Sequence, residues 1–172
     1  MSYKKRLSNI NTFVFDVDGV LTDGNVILDS SGELLRTMHT KDGYALQHAV
    51  KKGYNIVIIT GGNSQMVKHR LEGLGIKHIF LGAHNKLPIL ENHLKENNIE
   101  LNQVLYMGDD LPDVPCLKVV GVSTCPKDSA VEVIEVCDYI SHINGGKGCV
   151  RDVLEQTMRV QKKWMNDDSY SW

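Results

Sequence analysis

Phe13-Val14-Phe15-Asp16-Val17-Asp18-Gly19-Val20-Leu21-Thr22-Asp23 is the stretch on which the reading of the whole chain turns. An apolar run that stops in two carboxylates one residue apart, followed at once by glycine, has the form of a buried strand whose last side chains spill into a site. Ionised carboxylates this close raise each other's proton affinity. Burying them is costly unless a cation, a shared proton or chemistry offsets the charge. Solvated acids in a loop beyond the strand fit the same letters, so the motif alone leaves both readings standing.

Outward from this strand, short apolar runs alternate with amphipathic segments. Candidate strands cover 12–16, 55–60, 78–81, 103–107 and 119–122, with a weaker one at 138–140. Between them, Tyr44, Leu46, Ala49 and Val50 share one helical face, Met66, Val67, Leu71 and Leu74 another, and Leu87, Leu90 and Leu94 a third. Such alternation predicts an α/β fold, a parallel sheet covered by helices on both faces. Gly53, Gly75 and Gly82 fall where elements should stop. One segment breaks the pattern. Residues 25–28 and 34–38 flank the turn sequence Asp29-Ser30-Ser31-Gly32 and predict a β-hairpin over about 24–40. A lone hairpin is marginal, and this one is apolar, so it either folds back on its own domain or packs on another subunit.

The 172 residues, 42% of them hydrophobic, suit one domain over 1–164 followed by a tail, 165–172, that loses apolar periodicity. The tail is expected either to be disordered or to dock on a neighbouring subunit through Tyr170 and Trp172. No apolar run approaches the roughly 20 residues that cross a bilayer, and Lys4-Lys5-Arg6 leads into strand-like sequence, so a cytoplasmic location is expected. Cys116, Cys125, Cys137 and Cys149 lack the close pairing of a structural zinc site and read as reduced core thiols. A net charge of -2 provides no basic field for nucleic acid.

In an open parallel sheet, ligands bind beyond the carboxyl ends of the strands, and the remaining polar features gather there. Thr60-Gly61-Gly62 offers a hydroxyl and accessible amides suited to a phosphate, although Thr60 also fits a helix cap. Lys86 opens a helix, where its charge opposes the dipole and calls for an anionic partner. Gly108-Asp109-Asp110-Leu111-Pro112-Asp113 follows the fourth strand. Five acids around one lysine require a metal, and oxygen-only ligands point to magnesium.

Asp16-Val17-Asp18-Gly19-Val20, then Thr60, then Lys86, then Gly108-Asp109-Asp110-x-x-Asp113 resembles the four motifs of the haloacid dehalogenase superfamily of phosphotransferases. Along its whole length the chain resembles the capless 3-deoxy-D-manno-octulosonate 8-phosphate (KDO 8-phosphate) phosphatases. Further similarity lies in Thr22-Asp23-Gly24, Lys41-Asp42-Gly43-Tyr44 and Gly145-Gly146-Lys147-Gly148-Cys149-Val150-Arg151. Phosphatases for nine-carbon keto sugar acids are similar too. The resemblance implies a Rossmann-like sheet with no cap domain and a protruding hairpin. It implies that Asp16 attacks phosphorus and that Asp18 protonates the leaving alcohol, then takes a proton from water. It further implies that magnesium is held by Asp16, the carbonyl of Asp18 and Asp109. Thr60, Gly61, Gly62 and Lys86 would hold phosphoryl oxygens, while Asp113 orients Lys86 or a metal-bound water and Asp110 lies in the same outer layer. By the same resemblance the chain forms a homotetramer with central hairpins, a neighbour completes the substrate pocket, and the product is a sugar acid of the cell surface, as in lipopolysaccharide biosynthesis.

The interval from Thr60 to Lys86 holds one helix and one strand, and that from Asp16 to Thr60 only the hairpin and a helix, which leaves no room for a cap. Many relatives place arginine where this chain has Gly62, so Arg70, Lys147 or Arg151 is left to pair with a substrate carboxylate. The glycines at 145–148 form either a mobile loop closing on the site or an ordinary lead-in to the helix through Val150, Val153, Leu154, Met158 and Val160. Two other classes fit parts of the pattern. A receiver-like signalling domain carries its phosphorylated aspartate on a later strand, and the second acid, Asp18, promotes turnover instead of a persistent acyl phosphate. An idle binding subunit would have no need of the complete catalytic set present here.

Overall fold

In β1 (Thr12–Phe15), Phe13 pairs in parallel register with Ile56 on one side and Leu105 on the other, which sets this strand in the middle of the sheet. The computed structural model describes residues 2–172. In chain order the elements are α1 (Tyr3–Arg6), β1, the hairpin strands β2 (Ile27–Leu28) and β3 (Leu34–Leu35), α2 (Thr40–Lys51), β4 (Asn55–Ile59), α3 (Gln65–Glu72), β5 (His78–Phe80), α4 (Lys86–Glu96), β6 (Val104–Met107), α5 (Val114–Leu117), β7 (Val122–Cys125), α6 (Val131–Ile134), β8 (Tyr139–Ile140) and α7 (Cys149–Val160). Strand order in the parallel sheet is β5-β4-β1-β6-β7-β8. The chain builds outward from β1 to β5, then crosses to β6 on the other side of β1. That reversal opens a crevice at the carboxyl ends of β1, β4 and β6.

Both faces of the sheet are buried, as the near-continuous apolar strands require. Phe13, Phe15, Ile56, Ile58, Leu105 and Met107 pack against α2, α3 and α7 through residues such as Leu46, Leu71 and Leu154. The alternate residues Val14, Val57, Ile59 and Tyr106 face α4, α5 and α6 through Leu90, Leu117 and Val133. Among the described residues no helix is long and apolar enough to cross a membrane.

Two expectations are corrected by the structure. The strand predicted at 119–122 lies at Val122–Cys125. The Gly121 amide donates to the Leu101 carbonyl at 2.7 Å, and a Cβ at Gly121 would stand 2.4 Å from the Asn102 carbonyl oxygen, so the chain makes a close backbone approach before the strand begins. The hairpin arms are shorter than predicted, two residues each, pairing Ile27 with Leu35 and Leu28 with Leu34. In the tail, Lys52 binds Asp168 at 2.6 Å, the Tyr44 hydroxyl donates to the Ser169 carbonyl, and the Trp172 ring meets Tyr44 edge-on. These contacts seat the tail on α2 of its own chain.

Asp42 explains why α2 and α7 lie side by side at one end. Its Oδ1 accepts from the Arg151 amide at 2.8 Å in the first turn of α7, and burial pushes its carboxyl up to about 6. Cys116, Cys125 and Cys149 are buried and Cys137 is half-buried, and all four are free thiols.

Candidate active site

The backbone turns sharply where β1 ends. The Asp16 amide donates to the Met107 carbonyl at 3.1 Å, continuing the sheet, and its Oδ1 accepts from the Val17 amide at 2.7 Å. Asp18 then has extended angles (φ -70°, ψ 121°), and Gly19 takes φ +85°. This break in the turn brings Asp16 and Asp18 to the wall of the same cavity, about 420 Å³ in volume, which Thr60, Lys86, Asp109 and Asp113 also line. Gly19 is required twice over. Its φ suits a residue without a side chain, and a Cβ would stand 1.9 Å from Asp109 Oδ2.

Glycines 145 and 146 hold this turn from behind. A Cβ at Gly145 would lie 1.9 Å from the Gly19 carbonyl oxygen, and one at Gly146 would lie 2.4 Å from the Asp23 nitrogen. The Gly146 amide donates to the Val20 carbonyl at 2.9 Å, and the Gly145 amide to Asp128 at 2.8 Å. Of the two readings of 145–148, these contacts suit the lead-in to α7: backbone lies directly on backbone, and Gly145 and Gly146 buttress the Asp16–Asp23 turn.

From β4, Thr60 enters the cavity with its amide on the Phe80 carbonyl (3.0 Å) and its carbonyl accepting from the Ala83 amide (2.9 Å). Its Oγ1 accepts from the Gly62 amide at 3.3 Å. Ser64 caps α3 by accepting from the Val67 amide, so Thr60 is free of that duty. Gly61 and Gly62 line the same wall.

Lys86, in the first turn of α4, is 4% exposed and bridges two acids: its Nζ lies 2.7 Å from Asp113 Oδ1 and 2.9 Å from Asp16 Oδ2. Burial alone would lower the ammonium, but Asp113 and Asp16 outweigh it and hold Lys86 above the ordinary lysine value. Asp113 is saturated. Its Oδ1 also accepts from the Tyr106 hydroxyl (2.8 Å), while Oδ2 accepts from the Asp109 and Asp110 amides (3.1 and 3.4 Å). Lys86, one of the two partners expected for Asp113, is in contact with it. Tyr106 escapes notice in the sequence because a strand tyrosine reads as core. Its phenol is held well above the ordinary value by burial and then by Asp113, and serves as a donor.

Asp16, Asp109 and Asp113 place carboxylate oxygens within 4.8 Å of one another. Asp113 is fully hydrogen-bonded, so within this group Asp16 and Asp109 are the acids with capacity left to hold a cation. Asp109 Oδ1 is buried without a hydrogen-bond partner, and burial, then Asp16 and Asp113, pushes the carboxyl up to about 8. Burial, then Asp113, raises Asp16 to about 6 against the opposing pull of Lys86. An unpartnered oxygen in an oxygen-only, strongly anionic cluster fits a hard divalent cation. Asp110 lines the cavity beyond this pair, its side chain turned back on the Leu111 amide.

The three cations expected to meet a substrate carboxylate do not reach this cavity within one chain. Arg70 lies over α2, where a Cβ at Gly43 would stand 2.6 Å from its Nη2. Lys147 sits 3.6 Å from Asp23, and Arg151 stacks over Trp164 and pairs with Glu155. Both line a separate cleft beside α7. Instead, Arg36 from the hairpin binds Asp18 by two contacts, 2.6 and 3.1 Å. The one hint of it in the sequence is a lone cation interrupting the apolar arm Leu34-Leu35-Arg36-Thr37-Met38.

The haloacid dehalogenase-like hydrolase family model matches residues 39–126. The 3-deoxy-D-manno-octulosonate 8-phosphate phosphatase of Salmonella typhi is 37% identical over 158 residues, covering 92% of this chain and 84% of that protein. The crystal structure of the Moraxella catarrhalis phosphatase of the same name, in complex with magnesium ion, phosphate ion and KDO, is similar with a TM-score of 0.91 and 36% identity over 98% of this chain and 95% of that one. The Yersinia pestis phosphatase matches with a TM-score of 0.91 and 32% identity, over 94% and 87% of the two chains. With four motifs meeting in one cavity and relatives at this identity spanning nearly its full length, the chain belongs to the 3-deoxy-D-manno-octulosonate 8-phosphate phosphatase family of haloacid dehalogenase-like hydrolases.

Proposed function

We propose that the chain hydrolyses KDO 8-phosphate to KDO and phosphate with magnesium as cofactor. The observation that carries this reading is the buried Asp16–Lys86–Asp113 array beside an unpartnered Asp109 oxygen, in a chain related along nine-tenths of its length to phosphatases of that name. Asp16 attacks phosphorus as the bond to the sugar oxygen breaks, giving an aspartyl phosphate. Asp18 gives its proton to the departing oxygen, then takes one from the water that releases phosphate and regenerates Asp16. Thr60 and Lys86 hold phosphoryl oxygens, and Asp113 aims Lys86. Asp16, Asp109 and the Asp18 carbonyl would hold magnesium, which when bound offsets charge on the phosphoryl group and the carboxylates.

Nine-carbon keto sugar acid 9-phosphates are the competing substrates, because Gly62 leaves the carboxylate's cation to other residues. A kcat/KM comparison of eight-carbon, nine-carbon and hexose phosphates tests the assignment. The eight-carbon acid is expected to lead, with release abolished by chelation, and a lead for hexose phosphates overturns it.

The chain acts, in this reading, as a cytoplasmic homotetramer. Four unlinked thiols suit a reducing compartment. Ile27 and Leu28, 59% and 74% exposed on a two-stranded hairpin, support assembly through that face, as does the seating of Arg70, Lys147 and Arg151 away from their own chain's cavity. Leu28→Asp is expected to shift sedimentation to a smaller species with reduced activity, and a fully active wild-type monomer would sink the tetramer.

A further inference from the structure

Resting on the reading of Asp18 as the acid–base group, we propose that Arg36 is its positioning residue, and that through Arg36 the seating of the hairpin governs protonation of the leaving group. The Arg36 side chain is 8% exposed although it springs from a hairpin whose apolar residues Ile27, Leu28 and Leu34 are exposed. Its Nε lies 2.6 Å from Asp18 Oδ1, its Nη2 3.1 Å from Oδ2, and its Nη1 donates to the Leu34 carbonyl at 2.7 Å. The guanidinium is thus fixed to the hairpin backbone at one end and grips the carboxylate by two points at the other. A two-point fork sets the plane of a carboxylate, which a single contact does not.

Asp18 needs such a hold. It stands beyond the end of β1, one residue before the positive-φ Gly19, and among the described residues its carboxylate hydrogen-bonds to Arg36 alone. Lys86, which lines the cavity, is spent on Asp16 and Asp113. The pair lies beside Gly62, where a Cβ would stand in ordinary contact, 3.5 Å from both Arg36 Nη2 and Asp18 Oδ2. Each Asp18 oxygen commits one lone pair to Arg36 and keeps another for a proton. In the first step Asp18 enters protonated on the same two contacts: the Asp16 oxygen–phosphorus bond forms, the phosphorus–sugar oxygen bond breaks, and the Asp18 proton passes to that oxygen, leaving the carboxylate paired with Arg36.

A leaving group that needs no proton separates this role from general support of the fold. Arg36→Gln and Arg36→Lys are assayed with the sugar acid phosphate and with p-nitrophenyl phosphate, alongside Asp18→Asn. Because Asp18 also serves the later hydrolysis step that both substrates share, the rate compared is leaving-group release in a single turnover: we expect Arg36→Gln to lower it by about 10²-fold with the sugar acid phosphate and by no more than about threefold with p-nitrophenyl phosphate, with Arg36→Lys between Gln and wild type. Equal losses on both substrates, no loss, or a gain overturns the proposal. If Asp18→Asn itself fails to discriminate between the substrates, the acid–base reading falls and the proposal with it. If Asp18→Asn discriminates and Arg36→Gln does not, the positioning role alone is wrong.

Discussion

Asp16→Asn is expected to lower phosphate release by about 10⁴-fold or more, the scale on which removal of a covalent nucleophile acts. The same change should not weaken the fold near neutral pH. Lys86 keeps its contact with Asp113, and the amide can still accept from the Val17 amide. The charge removed is one the fold resists, since burial and then Asp113 raise Asp16 from 3.8 to about 6. With the folded value above the unfolded one, the carboxylate's cost is absent below about pH 4, grows between about 4 and 6, and is complete above about 6. In chelator, thermal unfolding should therefore favour the variant over wild type more at about pH 7.5 than at about pH 4.5. A variant that loses activity and is destabilised most at the higher pH would show that Asp16 serves structure first.

The sheet was legible because its strands are apolar on both faces, so 13–15, 56–59 and 104–107 stand out as runs bounded by polar ends. Those ends carry the site, which is why Asp16, Asp18, Thr60, Lys86, Asp109 and Asp113 could be placed together from one dimension. What could not be read depends on close backbone contact or on an irregular path. Gly145 and Gly146 left a mobile loop and an ordinary helix lead-in equally open, since glycine serves freedom and close approach alike, and their close contact with Gly19 and Asp23 is visible only in three dimensions. Arg36 lies on a hairpin whose seating on the domain no periodicity encodes. Residues Val119 and Val120 drew the fifth strand too early because an apolar pair before Gly121 looks the same whether it pairs in the sheet or precedes it.

Lys86→Met tests the array from its centre. The ammonium, 4% exposed, lies between two carboxylates that are 10% and 1% exposed, with Asp109 beside them. Without it, acids already pushed upward by burial and mutual repulsion lose the one cation opposing both effects. Removing one partner of a buried ion pair costs about 3–5 kcal/mol, against about 0–1 for a pair at the surface. Because Asp113 and Asp16 hold Lys86 above its ordinary value, the stabilisation is fully present below about pH 10 and is lost only as pH rises through the folded value. Urea unfolding of the metal-free variant near neutral pH should show the loss, and kcat should fall by about 10²–10³-fold as the phosphoryl oxygens lose a fixed cation. Adding Asp113→Asn to Lys86→Met should restore part of the stability, since the side chain at 113 is then neutral, its amide oxygen can still accept from the Asp109 amide, and its NH2 can donate to the Tyr106 hydroxyl oxygen. Activity should not return with it: stability needs the charges balanced, whereas catalysis needs the ammonium itself beside Asp16. Recovery of both in the double variant would mean that Lys86 only neutralises Asp113.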